Sequence, residues 1–165
     1  MAAAPVAREA ARVLLFDSGG RILLLQGHDP AQPGRHWWFT PGGGLDAGES
    51  HRAAAARELA EETGFALPLE ALQGPVWERS ALFNFLDTPF IQHEEFFVAR
   101  LETGVKPGLI AWTDAEVDTL DESRWFDRGE LDDVAIEIFP VRLRELLGTV
   151  TPWDGRLRHL GQEHA

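Results

Sequence analysis

The segment Pro41 to Phe65, PGGGLDAGESHRAAAARELAEETGF, constrains this chain more than any other stretch. Pro41-Gly42-Gly43-Gly44 puts four turn residues in a row, which implies a backbone shape that side chains would obstruct. Ser50 to Thr63 then predicts a helix: Ser50 suits the N-cap, the alanines favour helix, and Gly64 suits the position just past the end. On a wheel at about 100° per residue with Glu58 at zero, Glu61 falls near −60° and Glu62 near +40°. Three carboxylates therefore share one narrow face. Ala53, Ala55, Ala56, Leu59, Ala60 and Thr63 take the other side, small enough to let the helix sit close against a sheet. Like charges at this spacing cost roughly a few tenths of a kcal/mol per pair, and the negative end of the helix dipole adds to that. A hard divalent cation accounts for the arrangement, because Mg²⁺ or Mn²⁺ takes carboxylate and phosphate oxygens. Taken alone, the cluster also reads as a solvated acidic face.

Bulk properties narrow the ligand class. A net charge of −12 argues against a general nucleic-acid binder, since phosphate backbones are held by basic surfaces. It leaves room for a small anionic ligand carried in with a cation. The absence of cysteine excludes disulfides, thiolate metal sites and cysteine nucleophiles, and is compatible with a reducing cytoplasm, the expected location. No apolar run approaches the roughly 18 residues of a membrane span, so no membrane partner is expected. The alanine-rich start is interrupted by Pro5, Arg8, Glu9 and Arg12, unlike a secretory signal, and residues 1–9 are expected to be a flexible tip.

The 165 residues otherwise read as one α+β domain over 10–148, followed by a polar tail of uncertain order over 149–165. Val13–Phe16 and Ile22–Leu25 around Asp17-Ser18-Gly19-Gly20 predict a hairpin, and Trp37–Phe39 another strand. Val76–Phe85 and Ile91–Leu101 predict two longer strands about a turn at Asp87-Thr88-Pro89. Residues 106–122 are expected to be a loop with a little strand, Arg124–Phe126 extended, and Ile136–Leu147 a second helix stopped by Gly148.

The spacing of the first segment decides between the two readings of the carboxylates. Gly43, five residues, Glu49, seven residues, Arg57-Glu58-Leu59, one residue, Glu61-Glu62, one residue, Gly64-Phe65 matches the Nudix box at every defined position. A chance match somewhere in the chain is on the order of one in 10⁵ or rarer. The chain thus resembles the Nudix hydrolase family, with the order of elements agreeing over roughly residues 10 to 148. The resemblance implies an α/β/α sandwich with a mixed β-sheet and a pyrophosphohydrolase acting on a nucleoside diphosphate linked to another group. It implies Glu58, Glu61 and Glu62 as ligands of Mg²⁺ or Mn²⁺, with one of them orienting or deprotonating the attacking water. Arg57 would brace these carboxylates, Glu49 would stand near the metal, and the Gly42 carbonyl would offer a further oxygen. Gly42 and Gly43 are counted with the substrate site, and a homodimer is a family habit.

Outside the box, Glu94 and Glu95 are candidates for an added acidic residue; on a strand they face opposite ways. Phe97, Ala99 and Leu101 give Glu95 the more apolar side, so Glu94 is the expected catalytic partner, with Glu95 as the alternative. Trp38, within Trp37-Trp38-Phe39, would offer a stacking plane for a base, and Arg79 a fork-shaped phosphate donor, with Arg35 and His36 as further options. Ser80 stands where the ADP-ribose subgroup tends to carry proline, and there is no tyrosine of the kind the dinucleoside polyphosphate subgroup uses. The competing readings are a nucleotide-sensing module on the same fold, which would lose box carboxylates, and an isomerase, which would need a cysteine.

Overall fold

The computed structural model describes residues 4–164. Its order is β1 (Val6–Phe16), β2 (Ile22–His28), β3 (His36–Phe39), β4 (Gly42–Gly44), α1 (His51–Thr63), β5 (Gln73–Phe85) and β6 (Thr88–Arg100). There follow α2 (Asp114–Thr119), β7 (Leu120–Phe126), α3 (Arg128–Asp132), β8 (Glu137–Phe139), α4 (Leu143–Leu146) and β9 (Arg158–His164). The strands join in one mixed sheet in the order β8-β3-β2-β1-β6-β5-β9, with β4 added to β1 and β7 to β2.

The sheet is almost divided in two. Between β1 and β2 the register gives only Phe16↔Ile22, and β4 takes up β1 farther along, at Ala10–Arg12. One leaflet is β4-β1-β6-β5-β9, in which β1 runs parallel to β6 from Val6 to Phe16. The other is β7-β2-β3-β8. Leu14, Trp77 and Phe96 from the first leaflet join Leu24, Trp38 and Phe126 from the second in one buried cluster. That cluster closes one end of the space between the leaflets and leaves the other end open.

Helix α1 packs on the opposite face of the first leaflet. Its Ala54, Ala55 and Leu59 are fully buried against Ala11, Val13 and Leu15 of β1 and Phe97 and Ala99 of β6. The small residues bring the helix close, and burial of Leu59 alone contributes about 1.5–3 kcal/mol. Both ends of α1 follow the sequence signals. Ser50 accepts from the Ala53 amide at 3.1 Å, and Gly64 ends the helix in the left-handed conformation.

Several expectations need correction. Residues 6–9 are not a flexible tip but the first part of β1, paired with Phe90–His93; residues 1–3 lie outside the described ones. The expected C-terminal tail contains β9, which runs parallel to β5. The second helix over Ile136–Leu147 is replaced by β8, Pro140 and the short α4. Proline drives the residue before it to extended backbone and removes a helix donor, so Phe139 completes a strand. The loop of 106–122 holds α2, whose capping box pairs Thr113 with Glu116.

Candidate active site

The box helix presents its carboxylates at the open end of the space between the leaflets. The cavity there has a volume of about 490 Å³ and is lined by Gly42–Gly44, Glu58, Glu61 and Glu62 on one side. Arg8 and Arg12 of β1, Arg79 of β5, and the rings of Trp37, Phe39 and Phe83 form other walls.

Arg57 organises the acidic side. Its Nε and Nη2 donate to the two oxygens of Glu49, each at 2.9 Å, and Nη2 also reaches the Gly44 carbonyl at 3.0 Å. Its Nη1 donates to Glu58 at 3.1 Å and Glu61 at 3.2 Å. The hydrogen bonds to Glu49, seconded by Glu58, raise the Arg57 pKa, so the guanidinium stays charged. A Cβ at Gly43 would lie 2.7 Å from Glu58 Oε1 and would displace that carboxylate.

Glu62 is buried, and its Oε1 accepts the Gly42 amide at 2.9 Å. Burial pushes its carboxyl well above the usual range, the charge of Glu58 adds to that, and Arg12 opposes it. Burial also raises Glu58, with Glu61 and Glu116 adding to it against the pull of Arg57. One oxygen each from Glu58, Glu62 and Glu116 lies within 4.8 Å of the others. The donor set is all oxygen, gathered from two helices and incompletely neutralised, which fits a hard divalent cation.

Glu116 is the residue that sequence reasoning missed. It reaches the site because the loop before α2 is bound to the end of α1. The Gly108 amide donates to the Gly64 carbonyl at 2.6 Å, Ala111 to Glu61 at 2.7 Å, and Trp112 Nε1 to Glu62 at 3.0 Å. These donors occupy carbonyls at the helix C-terminal end that α1 itself leaves without partners. Thr113-x-x-Glu116 is a legible cap signal, but nothing local indicates which helix it faces.

The residues proposed outside the box fall in different places. Glu94 is fully buried; its Oε1 accepts Arg79 Nε at 2.5 Å, and its Oε2 pairs with Arg12 and accepts Gln92 Nε2 at 3.1 Å. Burial alone would raise its carboxyl, but Arg12 and Arg79 hold it down at about 2. It stands behind the guanidiniums that line the cavity instead of lining it. Glu95 faces the α1 side, with Oε2 3.6 Å from His51 Nδ1. Trp38 is a correction: strand alternation turns it into the core, edge-on to Phe126 at 4.9 Å, and gives the cavity wall to Trp37 and Phe39. Arg79 lines the cavity and is also ion-paired to Glu163 of β9. Arg35 lines it too, doubly bonded to Glu137 at 2.8 and 3.1 Å, while His36 turns to Asp121 at 3.1 Å. Among the described residues Arg8 has no carboxylate at ion-pair distance, and its guanidinium lies 5.4 Å from the Phe90 ring centre.

Comparison with known proteins gives a consistent picture. Residues 6–147 match the model of the NUDIX domain. The RNA pyrophosphohydrolase of Dinoroseobacter shibae is 43% identical over 60 residues, which is 36% of either chain. A putative 8-oxo-dGTP diphosphatase of Bacillus subtilis is 38% identical over 71 residues, 43% of this chain and 44% of that one. The matched stretch thus spans less than half the length of these curated relatives. Among solved structures, a NUDIX hydrolase from Nitrosomonas europaea aligns with TM-score 0.60 and 20% identity over 88% of this chain and 90% of that one. A C. elegans Ap4A hydrolase binary complex aligns with TM-score 0.59 and 21% identity over 87% and 95%. These structural likenesses establish the fold.

Proposed function

This chain belongs to the NUDIX domain family, and on that premise we propose that it is a metal-dependent hydrolase of a nucleoside-diphosphate-linked small molecule, cleaving the diphosphate by water attack at phosphorus. The observation that carries the reading is the convergence of Glu58, Glu62 and Glu116 beside a cavity that also presents Arg8, Arg12 and Arg79. A cavity of about 490 Å³ falls in the size range of small-molecule sites, roughly 300–1,000 Å³.

Glu58, Glu62 and Glu116 would hold Mg²⁺ or Mn²⁺, with Glu61 and the Gly42 carbonyl at its margin. A cation there offsets charge developing on phosphate oxygens and lowers the pKa of attacking water. The side chains supply the rest. Glu61, the most exposed box carboxylate on α1, accepts the proton of the attacking water. Arg57 keeps Glu58 and Glu61 oriented through its bonds to Glu49. Arg8, Arg12 and Arg79 receive the phosphates, the last two held in position from behind by Glu94. Trp37 and Phe39 offer the base an apolar plane, with Gly43 at the phosphate side.

The test is a substrate panel of nucleoside triphosphates (8-oxo-dGTP included), nucleotide sugars, ADP-ribose, dinucleoside polyphosphates and 5′-triphosphorylated RNA. Each is incubated with Mg²⁺, Mn²⁺ or a chelator. Metal-dependent cleavage of one class, lost in Glu62→Gln, is the expected result. Tight binding of a nucleotide with no turnover of any panel member would refute the hydrolase and leave a sensing module.

A further inference from the structure

Residues on β1 alternate between its two faces. Arg8 and Arg12 turn to the cavity, whereas Glu9 turns to the face that carries α1. There Glu9 meets His93, its register partner on β6, and His51, the first residue of α1. Glu9 Oε2 lies 2.7 Å from His93 Nδ1 and 3.1 Å from His51 Nε2, and the three ligand atoms lie within 4.8 Å of one another. Donors sharing an ion at about 2.0–2.1 Å in tetrahedral geometry lie roughly 3.3 Å apart. The His51 separation is near that, and the shorter His93 one has to open slightly.

The second ring nitrogens carry the argument further. His51 Nδ1 faces Glu95 Oε2 at 3.6 Å, and His93 Nε2 faces Glu78 Oε2 at 3.8 Å. Each imidazole thus turns one nitrogen to the shared point and has a carboxylate near the other, beyond direct hydrogen-bond distance; Glu78 also pairs with His159 through its other oxygen. Metal-ligating histidines commonly have such an outer carboxylate, which fixes the tautomer and raises ligand basicity once the ring N–H donates to it. A simple histidine–carboxylate pair requires only one nitrogen. The histidines at the cavity mouth differ: His36 bonds Asp121 through Nδ1 at 3.1 Å, His28 Nδ1 lies 2.9 Å from the same carboxylate without hydrogen-bond geometry, and among the described residues no carboxylate backs their other nitrogens.

We propose that Glu9, His51 and His93 form a second metal site, for a divalent transition-metal ion such as Zn²⁺. Imidazole donors suit Zn²⁺, Ni²⁺ or Cu²⁺, whereas the all-carboxylate group of Glu58, Glu62 and Glu116 suits Mg²⁺ or Mn²⁺. The side chains are partly open, with 52%, 25% and 38% of Glu9, His51 and His93 exposed, so an ion enters from solvent and a water completes its shell. Three elements meet at the ion, and it ties the first turn of α1 to β1 and β6. The site does not depend on whether the cavity hydrolyses anything.

The experiment uses the full chain, ¹⁵N-labelled and stripped of metal, titrated with Zn²⁺ in excess Mg²⁺ while the histidine ring nitrogens are followed by NMR. Saturable shifts of His51 Nε2 and His93 Nδ1 at one equivalent are expected. In calorimetry the double variant His51→Gln/His93→Gln should bind Zn²⁺ at least about 100-fold more weakly with Mg²⁺ binding unchanged, and Glu95→Gln about 10-fold more weakly. Shifts confined to His28 and His36, or undiminished Zn²⁺ affinity in the double variant, would overturn the assignment. So would the absence of any ring shift at millimolar Zn²⁺.

Discussion

A carboxylate buried beside other carboxylates opposes folding unless a cation offsets it, and Glu62 stands in that position between Glu58 and Glu116. Without metal, Glu62→Gln removes like-charge repulsion and keeps an acceptor for the Gly42 amide. The variant should therefore melt roughly 2–4 °C higher than the parent in chelator, corresponding to about 1 kcal/mol in a chain of this size. In Mg²⁺ its kcat/KM should fall by at least about 100-fold, and Glu116→Gln should lose activity similarly. A lower melting temperature for Glu62→Gln in chelator would show that the charge is already compensated. Glu94 has the opposite sign. With its carboxyl held at about 2 by Arg12 and Arg79, its contribution is fully present above the unfolded value near 4.5 and is lost as pH falls toward 2. The linkage is on the order of 3 kcal/mol. Urea unfolding at pH 7 should find Glu94→Gln about 3–5 kcal/mol less stable, because Arg12 loses its anion and Arg79 keeps only Glu163, with the gap narrowing in acid.

At the level of elements, α1 and the loop that follows β6 form one unit. Gly64 ends α1 at φ 81°, and a Cβ there would lie 2.5 Å from the Gly108 carbonyl oxygen. Gly64→Ala should thus cost more than about 1 kcal/mol in chemical denaturation. It should also weaken Mg²⁺ binding in calorimetry, since the same loop carries Glu116; unchanged Mg²⁺ affinity would separate the loop from the site. Helix α1 is legible in the sequence because its signals are local: an N-cap, alanines, and a glycine stop. The segment 136–147 imitates a single helix because its apolar spacing continues past Pro140, which in fact divides it. Helix α2 escapes a periodicity reading because six residues are too few to show a period, although its capping box is present in the sequence.

Across the whole molecule, the site depends on both leaflets and on the last strand. Glu163 of β9 pairs with Arg79 and accepts the Val141 amide at 3.1 Å, linking the C-terminal segment to the wall of the cavity. Removing residues 158–165 exposes the edge of β5 and leaves Arg79 with one anion. Such a truncation should cost on the order of 3–5 kcal/mol by urea unfolding and raise KM for the substrate more than it lowers kcat. Equal stability of the truncated chain would mean that β9 is dispensable.

By itself the sequence determined the helix with its two caps and the common face of Glu58, Glu61 and Glu62, because each follows from residues within a few positions of one another, whereas the glycines read as a turn form β4 against β1. It also determined the β5–β6 pair and the turn between β1 and β2, through alternation and turn residues, but not that β1 and β2 part after Phe16↔Ile22 to join different leaflets. Tertiary structure alone decided that Glu94 lies behind Arg12 and Arg79, that Trp37 and not Trp38 faces the cavity, and that Glu116 joins the acidic cluster. Arg12 and Glu94 are 82 residues apart, and Arg79 and Glu163 are 84. Local patterns govern local backbone and which residues share a face; which faces then meet depends on how the leaflets pack, and no short window contains that information.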